Sequence, residues 1–149
     1  MTTKRTHEPW MSANDYGRGL PTFTVNLIVS DVAQSIRFYT NVLGATVVYS
    51  DADFSALRLG RLEFMLHADH TYDHHPWHDE LASKVRRGLG AELRLFHVAP
   101  DEIAERAKTF GARILQPVQV KPHGWRDLIV ADPDGYAWAV GTPNKTESA

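Results

Sequence analysis

One pattern of helix, glycine and strand occurs twice in this chain, and this repeat limits the possible folds more than any other feature. The segments NVLGATVV, around Gly44, and KTFGARIL, around Gly111, place glycine where a left-handed helix C-cap would lie. A β-branched strand follows each glycine, and apolar residues at helical spacing precede it. These apolar residues predict helices over 32–43 and 100–110. An internal duplication is the economical explanation.

Short strand-like stretches accompany both predicted helices in the same order. In the first half they lie near 23–29, 46–50, 54–59 and 62–67. In the second half they lie near 91–98, 113–120, 125–130 and 136–141. The last two are separated by the turn sequence DPDG, in which proline fixes φ early and glycine permits a positive φ late. The sequence therefore predicts an α+β fold with two tandem βαβββ modules, 22–67 and 90–143.

Three segments lie outside the predicted modules. Residues 1–21 lack periodicity but include Trp10 and Tyr16, a large apolar load for a solvated tail, so we predict an arm that docks on the protein. Residues 68–89 form a connector, which is long for a compact domain, and residues 144–149 form a tail. We expect a single domain over 22–143, with the arm packed on its own subunit or on a partner.

Composition argues against several functional classes. The net charge is −2 and no basic stripe is present, so nucleic acid is not an expected partner. No apolar run has the length of a membrane span, and no apolar signal core follows Lys4 and Arg5. We therefore predict a cytoplasmic protein without a membrane partner. Since cysteine is absent, catalysis would need His, carboxylate or hydroxyl groups, or a metal with nitrogen and oxygen ligands.

Resemblance to a known family rests on four segments: DVAQSIRFYTNVLGATVV, LEFMLH, GAELRLFHV and DPDGYAWAVGTP. Together they resemble the vicinal oxygen chelate superfamily, also called the glyoxalase, bleomycin-resistance and dioxygenase superfamily. The resemblance covers about 22–143. It implies that the two βαβββ modules contribute eight strands to one cleft, commonly within a homodimer.

The same resemblance indicates where metal ligands would lie. In metal-dependent members they occupy four inward positions on the first and last strands of each module, which here fall on Thr24, Glu63, Glu92 and Ala139. Alanine has no donor atom and threonine is a poor ligand for a divalent ion, whereas such a site needs at least three protein ligands. The resemblance thus implies a member without the usual metal ligands, and we expect neither metal nor cofactor.

Candidate ligand-binding residues lie on the strands expected to face the cleft and in the loop before the seventh strand. They are Asn26, Glu63, Met65, His67, Glu92, Arg94, Phe96, His123, Trp125 and Arg126. Trp125 could stack on a flat ligand, although core packing is an equal alternative. Arg126 could bind a carboxylate through its guanidinium fork.

No catalytic residue is assigned, and the candidates are Glu63, Glu92 and His67. Two carboxylates across a cleft could share a proton and act as an acid–base pair, or Glu92 could instead form an ion pair with Arg94 on the same strand face. His67 continues the strand face of Glu63. The histidines that follow His67 in the connector either decorate an exposed loop or bind a transition metal, and the loop is the expected case.

Three functions are consistent with the sequence. The first is a metal-free binding protein similar to the bleomycin-resistance branch, which holds a small, partly aromatic compound in clefts of a homodimer. The second is a glyoxalase-type lyase or isomerase, with a rebuilt metal site or with metal-free acid–base catalysis. The third is a structural or regulatory dimer whose cleft is vestigial.

Overall fold

The computed structural model describes residues 3–144. The chain separates into two compact units, an N-terminal unit that ends at Val85 and a C-terminal unit that begins at Arg86. Each unit combines one four-stranded sheet with at least one helix, so the predicted α+β class and the eight strands are confirmed for the described residues. In the same range, no helix combines the length and the apolar character needed to cross a membrane.

The N-terminal unit holds the first βαβββ module and the segments that flank it. Its elements are α1 (Ala13–Gly19), β1 (Asn26–Val29), α2 (Val32–Asn41), β2 (Thr46–Ser50), β3 (Phe54–Leu59), β4 (Leu62–Ala68), a 3₁₀ helix (Asp69–Tyr72) and α3 (His78–Ala82). The strand order is β1-β4-β3-β2, with β1 parallel to β4 and the other neighbours antiparallel.

Helix α2 forms where its capping and its apolar spacing agree. The Asp31 side chain accepts a hydrogen bond from the backbone N–H of Gln34 at 3.0 Å, as expected for an N-cap. The apolar side of the helix buries Phe38 and Tyr39 completely, and the Tyr39 ring meets Phe64 of β4 edge-on at 5.3 Å. This side of the sheet is the core of the unit, so β4 presents its alternate residues on the opposite side.

The C-terminal unit repeats the module. Its elements are β5 (Glu92–Phe96), α4 (Pro100–Phe110), β6 (Arg113–Val120), β7 (Trp125–Ala131) and β8 (Ala137–Pro143). The strand order β5-β8-β7-β6 matches that of the first unit, again with one parallel pair, β5 and β8. Helix α4 begins with proline and ends at Phe110, and Gly111 follows with a φ of 81° as the left-handed C-cap that the sequence predicts.

Several boundaries differ from the predictions, for local reasons. The first strand begins at Asn26 rather than at Phe23, since Phe23 is 77 % exposed and the ladder with β4 starts at the Asn26–Met65 pair. Strand β5 ends at Phe96 because His97 takes a left-handed φ of 62°. Helices α1 and α3 and the 3₁₀ helix were not predicted, because they bury no residue and so show no apolar period.

Candidate functional site

A cavity of about 490 Å³ lies in the N-terminal unit, and we call it the N-terminal cavity. Its volume falls within the range of about 300–1,000 Å³ that is usual for small-molecule sites. The arm, β3, β4 and the 3₁₀ helix all contribute to its lining. Among the lining residues are Trp10, Tyr16, Phe54, Met65, His67 and Tyr72.

Strand alternation builds the floor of this cavity. In β4, Phe64 and Leu66 point into the core, whereas Met65 and His67 are on the partly exposed face. Phe54 lies opposite His67 in the antiparallel ladder of β3 and β4, and their rings are 4.9 Å apart. The floor is therefore mostly apolar and carries one imidazole.

The arm covers this floor with two aromatic rings. Trp10 stacks on Tyr49 with ring centres 5.1 Å apart, and Tyr16 meets Phe54 edge-on at 5.3 Å. The Tyr16 hydroxyl donates a hydrogen bond of 2.8 Å to Glu63. Burial, reinforced by that hydrogen bond, raises the pKa of Tyr16 above its ordinary value. The arm thus makes specific contacts with the sheet of its own chain.

Two aspartates at the edge of the sheet anchor the start of the arm. The backbone N–H of Arg5 donates to Asp53 at 2.8 Å, and its guanidinium donates to Asp51 at 3.2 Å. Asp53 also contacts Nε2 of His70 at 2.7 Å. Burial alone would raise the pKa of both carboxyls, but their hydrogen bonds to neighbouring donors outweigh it, so the pKa of each aspartate lies below its usual value. Both are therefore anionic at neutral pH.

His67 belongs to a short polar relay at the side of the cavity. Its Nδ1 lies 2.7 Å from Oδ1 of Asn26, and Nδ2 of Asn26 donates to the Tyr72 hydroxyl at 2.5 Å. Burial lowers the pKa of His67, and the more distant charge of Asp51 only partly opposes that effect. The imidazole is therefore neutral at pH 7.

The structure distributes the candidates of the N-terminal unit unevenly around the cavity. Met65 and His67 line it, and Asn26 orients His67 from outside the lining. Glu63 lies beneath the arm, where its carboxylate binds the Tyr16 hydroxyl and, at 3.0 Å, the guanidinium of Arg58. Because both of its oxygens are engaged, Glu63 is an anchor for the arm in this structure.

The other candidates belong to the C-terminal unit and have partners of their own. Glu92 accepts a hydrogen bond of 2.7 Å from Nε of Arg94, which is the ion pair that the sequence offered as the structural alternative. Phe96 and Trp125 meet edge-on at 5.1 Å. His123 is exposed. The guanidinium fork of Arg126 already holds a carboxylate, since two of its nitrogens donate to Asp101 at 2.7 and 3.1 Å. A common site for Glu63 and Glu92 stays a prediction.

The four positions that the family uses for metal ligands do not suit a metal here. Ala139 has no donor atom, and the Thr24 hydroxyl donates to the backbone carbonyl of Glu63 at 2.7 Å. Glu63 and Glu92 are both engaged by arginine. Within either unit, as far as it is described, no three imidazole or carboxylate groups come together in a way that could hold an ion.

Two lining residues had no signal in the sequence that pointed to a site, and the position of a third could not be predicted. The sequence around Phe54 is typical of an ordinary strand, and Tyr72 lies in the connector among histidines. Trp10 was predicted to dock, but its position over the sheet depends on Tyr49, which lies far from it in the sequence. Long-range contacts of this kind have no local pattern.

Comparison with known proteins identifies the family of the fold. A family model described as the Glyoxalase/Bleomycin resistance protein/Dioxygenase superfamily matches residues 22–140. A search among curated proteins found no match.

Similar solved structures include a glyoxalase/bleomycin resistance protein/dioxygenase from Nocardioides, with 21 % identity, a TM-score of 0.65 and coverage of 91 % of this chain and 95 % of that one. A glyoxalase/bleomycin resistance protein/dioxygenase family enzyme from Burkholderia phytofirmans PsJN has 18 % identity and a TM-score of 0.66, with coverage of 80 % of this chain and 96 % of that one. The fosfomycin resistance protein FosX from Listeria monocytogenes has 19 % identity, a TM-score of 0.63 and coverage of 84 % and 94 %. At these identities the likeness concerns the fold alone.

Proposed function

Because this chain belongs to the glyoxalase/bleomycin resistance protein/dioxygenase superfamily, we propose that it is a metal-free protein that binds a small, partly aromatic molecule in the N-terminal cavity. The observation that carries the proposal is the cavity itself, which has a volume of about 490 Å³ between the arm and the sheet. Every described residue that lines the cavity belongs to the N-terminal unit. The predicted homodimer stays a separate prediction.

The chemistry of the lining supports an aromatic ligand. Four aromatic side chains line the cavity, namely Trp10, Tyr16, Phe54 and Tyr72. An aromatic pair in offset or edge-to-face contact contributes about 0.5–1.5 kcal/mol beyond its buried area. Met65 adds a flexible apolar side chain that adapts to an irregular outline. A flat molecule with one or two rings makes the best use of such walls.

The glyoxalase-type enzyme finds no comparable support in this unit. Acid–base chemistry would need a carboxylate free to exchange a proton, whereas Glu63 is held by Tyr16 and Arg58. His67 lies four positions further along β4, about 13 Å at the usual rise of a strand. The two side chains therefore do not act on one bond.

A thermal-shift screen with a library of one- and two-ring aromatic fragments tests the proposal. A fragment at about 100 times its Kd adds about 2.7 kcal/mol of stability. Met65→Trp fills the floor of the cavity and should abolish the shifts. Leu62→Trp makes the same kind of change on an exposed position of the same strand and should preserve them. If no fragment stabilises the protein, or if both variants respond as wild type does, the N-terminal cavity is not a binding site.

A further inference from the structure

We infer that the N-terminal cavity selects neutral, planar molecules that carry an N–H or O–H hydrogen-bond donor, which Nε2 of His67 accepts. This inference rests on the proposed function and specifies its ligand class. It follows from the polar relay beside the cavity, from the pairing of the charged groups and from the ring-lined walls.

The relay fixes which nitrogen of His67 carries the proton. Nδ2 of Asn26 donates to the Tyr72 hydroxyl, so Oδ1 of Asn26 faces His67 and can only accept. The hydrogen on His67 is thereby assigned to Nδ1, and Nε2 keeps its lone pair. Asn26 is a positioning residue, because it determines the tautomer without lining the cavity.

The same relay leaves one acceptor and one donor available. No described residue gives Nε2 of His67 a hydrogen-bond partner. The Tyr72 oxygen accepts from Asn26, and within residues 3–144 nothing accepts the hydrogen of that hydroxyl. Both side chains line the N-terminal cavity. A ligand that displaces water from these groups without replacing its hydrogen bonds loses affinity, so a ligand with complementary groups is selected.

The charges around the cavity favour a neutral ligand. The charged residues in its lining are Arg5 and Asp53, which contact each other, and Arg5 also binds Asp51. His67 itself is neutral at pH 7. A charged ligand would lose its hydration without gaining an opposite charge that is free to pair with it, and that loss is costly in an apolar cavity. A neutral molecule with a polar edge avoids this cost.

Isothermal titration calorimetry at pH 7.5 with 2-quinolinone and its N-methyl derivative tests the inference. The two probes share a planar bicyclic shape and a carbonyl acceptor, but only 2-quinolinone has an N–H donor. We expect 2-quinolinone to bind about tenfold more tightly, the effect of one well-placed hydrogen bond. Quinoline, which has an acceptor and no donor, should bind as weakly as the N-methyl compound.

Variants and spectroscopy assign the preference to His67. His67→Phe keeps a ring and removes the acceptor, so both probes should bind equally, whereas His74→Phe, at an exposed connector position, should keep the tenfold preference. Asn26→Ala should reduce the preference several-fold by releasing the tautomer. Imidazole ¹⁵N NMR of wild type should show His67 protonated at Nδ1, a result that does not depend on any variant folding.

The outcomes separate this inference from the proposed function. If fragments bind in the cavity and are lost in Met65→Trp, but the two quinolinones bind equally or not at all, the inference is wrong and the proposed function stands. A preference that survives in His67→Phe, or an Nε2-protonated His67, also overturns it. If no fragment binds in the cavity, the proposed function fails and takes the inference with it.

Discussion

The two units share one sheet topology but differ in what lies on their sheets. In the N-terminal unit, the arm and the 3₁₀ helix contribute to a cavity with aromatic walls. In the C-terminal unit, a cavity of about 540 Å³ is lined by the loop that begins at Arg86 and by residues of β5 to β8, and its described lining residues include no aromatic ring. The candidate residue Glu92 on β5 is exposed and paired with Arg94.

This difference teaches that the repeated module accounts for the fold and for the floor of the N-terminal cavity, but not for the rest of the candidate site. The strand orders match between the units, whereas Trp10, Tyr16 and Tyr72 come from segments outside the repeated modules. The chemistry that we propose for the N-terminal unit therefore depends on additions to the module. Changes in those additions should lower stability and ligand affinity more than changes in β5 of the C-terminal unit do.

Deletion of residues 1–20 should give the largest effect. The truncated chain loses the stacking of Trp10 on Tyr49, the edge-on contact of Tyr16 with Phe54, the Tyr16 hydrogen bond and the Arg5 ion pairs. We expect a loss of about 2 kcal/mol, seen as a Tm lower by about 4–8 °C in calorimetry. Fragment binding should disappear as well. A truncated protein with unchanged Tm and unchanged binding would show that the arm is only a tail.

Asp51→Asn tests the anchor of the arm and should cause the second-largest loss of stability. The pKa of Asp51 and that of Asp53 lie below the ordinary value, so these groups stabilise the fold above about pH 4, and the stabilisation is lost as the pH falls through their folded-state pKa values. The variant should lose about 1–2 kcal/mol at pH 7, because a charge-assisted contact with Arg5 is removed. Urea unfolding from pH 7 to pH 3 should also show a flatter acid dependence than in wild type.

Tyr16→Phe should have a smaller effect, with a distinct pH signature. It removes the hydrogen bond from Tyr16 to Glu63 and leaves the ion pair between Glu63 and Arg58 in place. We therefore expect the free energy of unfolding to fall by about 1 kcal/mol at pH 7. Because the pKa of Tyr16 is raised, its contribution is complete below about pH 10 and is lost as the pH rises further. Denaturant unfolding between pH 9 and pH 11 should therefore show a shallower decline for the variant. Equal slopes would contradict the assigned hydrogen bond.

The sequence predicted the elements that local residues determine and missed the positions that long-range contacts determine. Helix α2 followed from the apolar residues at helical spacing before Gly44, and the C-cap of α4 followed from Gly111. The floor of the cavity also followed in part, since strand alternation places Met65 and His67 on one face. The position of the arm over that floor could not be predicted, because α1 buries no residue and is placed by contacts such as the one between Tyr16 and Glu63.

Glu92→Gln and Glu63→Gln form the most sensitive comparison of the two units. The Glu92 and Arg94 side chains are 40 % and 44 % exposed, and exposed pairs contribute about 0–1 kcal/mol, so Glu92→Gln should change stability by less than about 0.5 kcal/mol. The Glu63 side chain is only 20 % exposed and has two partners, so Glu63→Gln should cost about 1 kcal/mol.

The decisive measurement for this pair is the affinity for any fragment shown to bind in the N-terminal cavity, measured by calorimetry at pH 7.5. Glu92→Gln should leave that affinity unchanged, because every described lining residue belongs to the N-terminal unit. Glu63→Gln should weaken it by about two- to threefold, since the arm above the cavity loses part of its anchor. If Glu92→Gln weakens binding as much as Glu63→Gln does, the assignment of the binding site to the N-terminal unit alone is wrong.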